Sequence, residues 1–221
     1  MPNPEEILDG LAKIAQEWRV LAILWHVYYG VLAIGLLVGM RPAKPVAGIL
    51  LAIPLFSVSV LAWLTANPFN GSVFALVGLA LVGISFMLPR EPISLGPTWA
   101  VIAGVIMIAF GWVYPHFVNA SSFANYLYAA PTGLIPCPTL SITIGLVLLA
   151  GGLDSRTYSL VLAIAGLFYG VFGALRLGVT IDLVLLLGSL ALIGIVFVPK
   201  SSAPAESSGG QPSTSMPTTS S

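Results

Sequence analysis

Long apolar runs separated by short polar turns dominate the chain between residues 20 and 199. Most runs approach the length of about 20 residues that a helix needs to cross the hydrocarbon core of a bilayer. The pattern therefore predicts an all-α, polytopic transmembrane helix bundle of about seven spans. The predicted spans are residues 20–40, 45–66, 72–88, 98–114, 141–150, 157–175 and 181–198.

The composition supports this class and excludes two others. Of the 221 residues, 57% are hydrophobic and 7% are charged, which leaves too few polar side chains to cover a soluble globule. The net charge is zero, and no basic stripe with interleaved aromatic residues is present, so nucleic-acid binding has no support. The expected surroundings are a lipid bilayer, with a membrane-protein partner or further copies of the chain beside it.

The two ends of the chain differ from the apolar middle. Residues 1–19 are predicted to form an amphipathic helix on the membrane surface, because apolar positions recur there every three or four residues. A cleaved secretory signal is disfavoured, since Glu5, Glu6 and Asp9 replace the basic start that such a signal needs. Residues 200–221 are rich in Ser, Pro, Thr and Gly and are predicted to be a disordered tail. The bundle proper then covers residues 20–199.

The distribution of Lys and Arg predicts an orientation in the membrane. An odd number of spans places the two termini on opposite sides, and basic residues favour the cytoplasmic side. We therefore expect a multi-pass protein of the inner (plasma) membrane with its amino terminus outside and its carboxyl terminus in the cytoplasm. The basic residues predicted to be cytoplasmic are Arg41, Lys44, Arg90, Arg156 and Lys200, against Lys13, Arg19 and Arg176 outside.

The densest cluster of unusual residues precedes the fifth span. Pro131, Pro136 and Pro138 withhold backbone donors and predict irregular backbone, which membranes tolerate only inside protein or along a wet cavity. Between two of these prolines lies Cys137, the only cysteine, so the chain forms no internal disulfide. The thiol is a candidate soft-metal ligand, redox group or pocket residue, and Thr139 follows it closely. The alternative is a small apolar group that only shapes a helix start.

Histidines supply two further candidates. His116 follows the fourth span on the predicted outer side, where it would complete half of a metal site with Cys137. An interfacial histidine bonded to a loop carbonyl is the alternative. His26 lies inside the first span, where an ionisable side chain is a functional candidate by default. Haem is disfavoured because the chain has only two histidines, at different depths, and the sequence identifies no other cofactor.

A charged pair is predicted at the turn between the last two spans. Arg176 and Asp182 flank this short turn, so opposite charges meet at one edge of the bundle. The pair either couples transport to the movement of a proton or another ion, or it holds the last two helices together as a hairpin. With Asn67 from the end of the second span, these residues complete a candidate outer-facing pocket. Its predicted members are Cys137, His116, Asn67, Arg176, Asp182 and Thr139.

Residues 133–139, Gly-Leu-Ile-Pro-Cys-Pro-Thr, resemble the signature of an uncharacterised bacterial integral-membrane family, a domain of unknown function. The likeness covers nearly everything before the tail. That family has no established activity, so the resemblance implies a fold and the location of a site, but no reaction. The other matching features are Thr-x-Gly-Leu at 143–146, an acidic amphipathic start at 7–18, Asn67-Pro68, Tyr114-Pro115 and Leu-Gly-Val-x-x-Asp at 177–182.

Two functions of different classes fit the sequence. The first is a small transporter or transport-accessory protein that handles a metal ion or a small polar solute in the outer pocket, since broken helices often form such sites. The second is a non-catalytic structural or assembly subunit of a membrane complex, which the scarcity of charge within the spans favours. An enzyme is disfavoured, because a membrane thiol enzyme needs a resolving cysteine that this chain lacks.

Overall fold

The computed structural model describes residues 4–115, 117 and 124–198. These residues form helices joined by turns, with no strand among them, so the prediction of an all-α protein is confirmed for this part of the chain. The predicted tail at 200–221 lies outside the described residues. The α-helices in chain order are α1 (Pro4–Glu17), α2 (Arg19–Leu37), α3 (Lys44–Leu64), α4 (Pro68–Phe86), α5 (Thr98–Trp112), α6 (Ala124–Ala129), α7 (Pro136–Leu149), α8 (Arg156–Val171) and α9 (Leu183–Val196).

Among the described residues, four helices are long and apolar enough to cross a membrane, which indicates a membrane-embedded protein. They are α2, α3, α4 and the continuous stretch Arg156–Arg176, in which α8 runs on into a π-helical turn at Phe172–Arg176. Three further helices are apolar but shorter, namely α5, α7 and the stretch Thr180–Val196 that contains α9. Each of the seven overlaps one of the predicted spans, and the count of seven membrane crossings stays a prediction.

Helix α7 starts five residues earlier than the predicted fifth span. Pro136 is its first residue and Pro138 its third, so the expectation of irregular backbone at these two prolines is wrong. The first N–H groups of a helix have no partner within the helix, and proline therefore costs little there. The irregular backbone lies just before the helix, in the tight turn 131–135.

Helix α7 is the centre of the bundle. Every one of its residues is buried except Cys137, which is partly buried. It packs against α3, α5, α8 and α9. The closest crossing is with α5, where a methyl group added at Gly145 would lie 2.6 Å from the carbonyl oxygen of Gly104. The two backbones touch because neither residue has a side chain, as in other membrane helix pairs.

This crossing gives a direct prediction. We expect Gly145→Ala to destabilise the protein by about 2 kcal/mol, because a methyl group in a fully packed core forces the helices apart. Gly83→Ala is the matched control, since a methyl group there meets open space on the exposed side of α4. Unfolding by sodium dodecyl sulfate in mixed micelles measures both changes. Equal stability of the two variants would contradict the close crossing.

The ends of the helices meet in two groups, which we name after their buried charged residues. At the Lys44 end, Lys44 Nζ lies 2.8 Å from Glu91 Oε2 and 3.2 Å from Asp154 Oδ2. Asp154 closes the turn Gly151–Asp154, in which all four residues have left-handed φ angles between 53° and 68°. The Asp182 end is the opposite one, where α5 ends and where α7 and α9 begin.

Helix α1 covers part of the Asp182 end. Its buried residues Leu11 and Ile14 pack in a small apolar cluster with Leu134 and Ile135, which lie just before α7. Its acidic residues are exposed on the other face. The helix forms over nearly the whole predicted segment, and Trp18 separates it from α2. Its location at a membrane surface stays a prediction.

Candidate functional site

The carboxylate of Asp182 is the centre of the candidate site. The residue is 1% exposed, although its side chain is ionisable and belongs to a bundle of apolar helices. Its Oδ1 accepts a hydrogen bond from the hydroxyl of Tyr114 at 2.7 Å, and its Oδ2 accepts one from the thiol of Cys137 at 3.1 Å. A buried carboxylate is stable only where donors replace its lost hydration. We call these three residues the Asp182 site.

Three helix ends bring these side chains together. Tyr114 follows the last turn of α5 and is fully buried, and Cys137 is the second residue of α7. Asp182 closes a 3₁₀ turn, Thr180–Asp182, immediately before α9. Because the amino-terminal end of a helix carries a partial positive charge, the starts of α7 and α9 favour a carboxylate at this place.

A π-helical turn completes the wall beside Asp182. Residues Phe172–Arg176 continue α8 with one wider turn, and the carbonyl oxygen of Gly173 accepts a hydrogen bond from the Val179 amide at 2.9 Å. A methyl group at Gly173 would overlap the Asp182 carboxylate, so only glycine fits here. Single π-helical turns of this kind occur frequently at functional sites.

A small cavity of about 30 Å³ adjoins the site. Its lining includes Cys137 and Asp182, and also Asn70 and Tyr169. The hydroxyl of Tyr169 donates a hydrogen bond of 2.9 Å to the amide oxygen of Asn70. Side chains of α1, including Leu11, also line it. The volume suffices for one or two water molecules or for a single ion.

Thr139 and Asn67, two of the predicted pocket residues, form hydrogen bonds with the surrounding backbone. The buried hydroxyl of Thr139 donates to the Ile135 carbonyl at 2.7 Å and accepts from the Gly133 amide at 2.8 Å, which fixes the turn before α7. The side chain of Asn67 caps α4 by accepting from the Asn70 amide at 3.2 Å. Of the two asparagines, Asn70 is the one that lines the cavity.

Two further predicted members of the pocket are Arg176, the predicted charge partner of Asp182, and His116, the predicted metal ligand beside Cys137. Arg176 is exposed, and the salt bridges between described residues do not include it. His116 lies outside the described residues. Within the described part of the chain, no group of three or more His, Cys, Asp or Glu residues is arranged to hold a metal ion. The Asp182 site therefore offers a thiol, a carboxylate and a phenol as its donor set.

No protein-family model, curated protein or solved structure matches this chain. The resemblance of residues 133–139 to an uncharacterised membrane family thus stays a prediction.

His26 is buried but belongs to a helix contact away from the Asp182 site. Its Nδ1 lies 2.8 Å from the Ala22 carbonyl oxygen and its Nε2 lies 3.1 Å from that of Trp112. The imidazole also packs edge-on against the Trp112 ring, with ring centres 4.9 Å apart. The side chain therefore joins α2 to the end of α5.

Tyr114, Asn70, Tyr169 and Gly173 are members of the site or its wall that sequence reasoning missed. Tyr114 and Asn70 each lie beside a helix break that the sequence does show, at Pro115 and at Asn67-Pro68. Those breaks place both residues at the same membrane depth as the start of α7, which is the signal that was available. Tyr169 and Gly173 carry no such signal, because they lie inside a continuous apolar run.

Proposed function

We propose that this protein is a small membrane transporter or transport-accessory protein that handles a metal ion or a small polar solute at the Asp182 site. The observation that carries the proposal is the buried Asp182 carboxylate at the broken ends of three apolar helices. Ionisable residues within membrane bundles are costly and commonly mark ion or substrate paths. Interrupted helices are also where transporters form their binding sites.

We infer seven spans, with the Lys44 end in the cytoplasm. The seven apolar helices alternate in direction, and α7 needs no full bilayer length because protein surrounds it. Arg41, Lys44, Arg90 and Arg156 belong to the Lys44 end, which supports this orientation in an inner (plasma) membrane. The amino terminus and α1 are then outside, where α1 would lie along the membrane interface while covering the site.

The size and donor set of the site favour a single ion over a larger solute. A cavity of about 30 Å³ has no room for a sugar or an amino acid. A thiol sulfur is a soft ligand that suits Cu⁺ and Zn²⁺, and a carboxylate oxygen adds negative charge beside it. We therefore propose a metal ion as the cargo that the site fits best.

Metal titration of the purified, detergent-solubilised protein tests this proposal. We expect Cu⁺, Zn²⁺ or Hg²⁺ to raise the thermal unfolding temperature of the parent, because a ligand that binds only the folded state stabilises it. The shift should vanish in Cys137→Ser, which removes the soft ligand but keeps a hydroxyl that still donates to Asp182. Growth of expressing cells under excess of the stabilising metal then measures transport or resistance.

Asp182→Asn separates a metal site from a simple thiol adduct. A thiol adduct would persist unchanged in this variant, whereas a site that also uses the carboxylate would bind the metal more weakly. Thr180→Ala, at an exposed position in the same turn, is the control and should respond like the parent. No stabilisation by any metal, or an unchanged shift in Cys137→Ser, would overturn the metal proposal.

A structural or assembly subunit of a membrane complex is the second candidate. The observation that favours it is that Tyr114 and Cys137 already donate to Asp182, so the carboxylate is stabilised without a ligand. This function predicts that a partner, or further copies of the chain, co-purify stably from native membranes. It also predicts that Cys137→Ser leaves that association intact.

A further inference from the structure

An apolar groove runs along the outside of the bundle between α2 and α5. Its volume is about 420 Å³, and all of its lining residues are apolar. Leu37 and Val105 on its rim are 68% and 48% exposed, so the groove is open to the surroundings of the bundle. Leu149 of the central helix forms part of its floor.

The groove lies beside a contact between α2 and α5 at Trp112. There the ring of Trp112 lies against Gly30, where a methyl group would come within 3.2 Å of it, and His26 contacts the Trp112 carbonyl. Farther toward the Lys44 end, the two helices leave the space open. It follows α5 from Val105 to Val113, which is about 12 Å at 1.5 Å per residue.

A positive charge lies at the Lys44 end of this groove. Arg41 Nη1 donates to the carbonyl oxygens of Leu36 and Met40 at 2.7 and 2.9 Å, which holds the guanidinium at the end of α2, where Leu37 is the last residue. The salt bridges between described residues do not include Arg41. A guanidinium has five N–H donors, and those not used here suit a phosphate group.

We propose that this groove binds one anionic phospholipid, with an acyl chain along α2 and α5 and the phosphate on Arg41. The groove supplies apolar contact along the membrane-spanning part, and Arg41 supplies charge complementarity at the level of the headgroups. Basic side chains next to interhelical grooves commonly bind anionic headgroups in this way. The site is separate from the Asp182 site, so the proposal does not depend on transport.

Lipid-dependent stability tests the proposal. The delipidated full-length protein is titrated with phosphatidylglycerol or with phosphatidylcholine of the same acyl chains, and the thermal unfolding temperature is followed. We expect phosphatidylglycerol to raise this temperature more than phosphatidylcholine does. Ala109→Trp fills the groove and should abolish most of the shift, whereas Arg41→Gln should reduce the phosphatidylglycerol shift to the size of the phosphatidylcholine shift.

Two further variants make the outcome decisive. Ala80→Trp places the same large side chain on the exposed face of α4 and should respond like the parent. Ala33→Leu narrows the groove from the α2 side and replaces Ala109→Trp if that variant does not fold. Equal shifts in Ala109→Trp and Ala80→Trp would overturn the proposal. The proposal would also be overturned if copies of the chain associate, if Ala109→Trp abolishes this association, and if added lipid does not affect it. The groove would then bind a partner helix instead of a lipid.

Discussion

Asp182→Ala is expected to lower the free energy of unfolding by about 3 kcal/mol, because the change leaves the Tyr114 hydroxyl and the Cys137 thiol buried without their acceptor. It also opens a cavity beside Gly173, because the Asp182 carboxylate fills the space that a side chain at position 173 would occupy. Unfolding in mixed micelles measures the loss. The same variant should lose any response to metal.

Two milder changes separate the causes of that loss. Asp182→Asn keeps the volume and one acceptor oxygen, so we expect it to cost less than half as much while still weakening metal binding. Tyr114→Phe removes the single hydrogen bond from the Tyr114 hydroxyl to Asp182 Oδ1, with an expected cost of about 1 kcal/mol. If all three variants were as stable as the parent, Asp182 would not be held as the structure describes.

The double variant Glu91→Gln/Asp154→Asn is expected to cost about 3 kcal/mol, because it leaves the buried ammonium group of Lys44 without either carboxylate. Lys44→Met should cost only about 1 kcal/mol, since the two carboxylates that it leaves behind are 68% and 39% exposed and remain hydrated. The same unfolding assay measures both.

The informative result is the difference in stability between the double variant and Lys44→Met. Combining all three substitutions should restore most of the stability that the double variant loses, because the ammonium group that the double variant leaves buried without a partner is then absent. Lys13→Met is the control for loss of a positive charge, since the Lys13–Glu17 pair of α1 is exposed at both ends. A double variant as stable as Lys44→Met would show that Lys44 reaches water without its partners.

The helices of this protein were predictable because their signals are local. Each apolar run is bounded by proline, glycine or charged residues, and both the amphipathic pattern at 1–19 and the break at Arg41-Pro42 are visible in the sequence alone. The start of α7 was misjudged for an equally local reason. Pro136 and Pro138 disrupt the middle of a helix but fit its first turn, and only the surrounding structure decides which position they take.

The candidate site was predictable only in part. Cys137 and Asp182 were both singled out, but their contact joins positions 45 residues apart and depends on which helices are neighbours. The sequence paired Asp182 with Arg176 because they are close along the chain. The π-helical turn that ends at Arg176 instead leaves this residue exposed and places Gly173 against the carboxylate. Such pairings depend on tertiary packing, which local periodicity does not encode.

The central position of α7 constrains how the chain is assembled during synthesis. This helix packs against protein on several sides, but two of its neighbours, α8 and α9, leave the ribosome after it. Until those helices arrive, α7 can contact only the earlier ones, including α5 through Gly145 and α2 through the bond of 3.0 Å between Thr143 and Tyr29. Chains that stop before α8 would therefore leave one side of α7 facing lipid instead of its partner helices, and membrane quality control would be expected to degrade them.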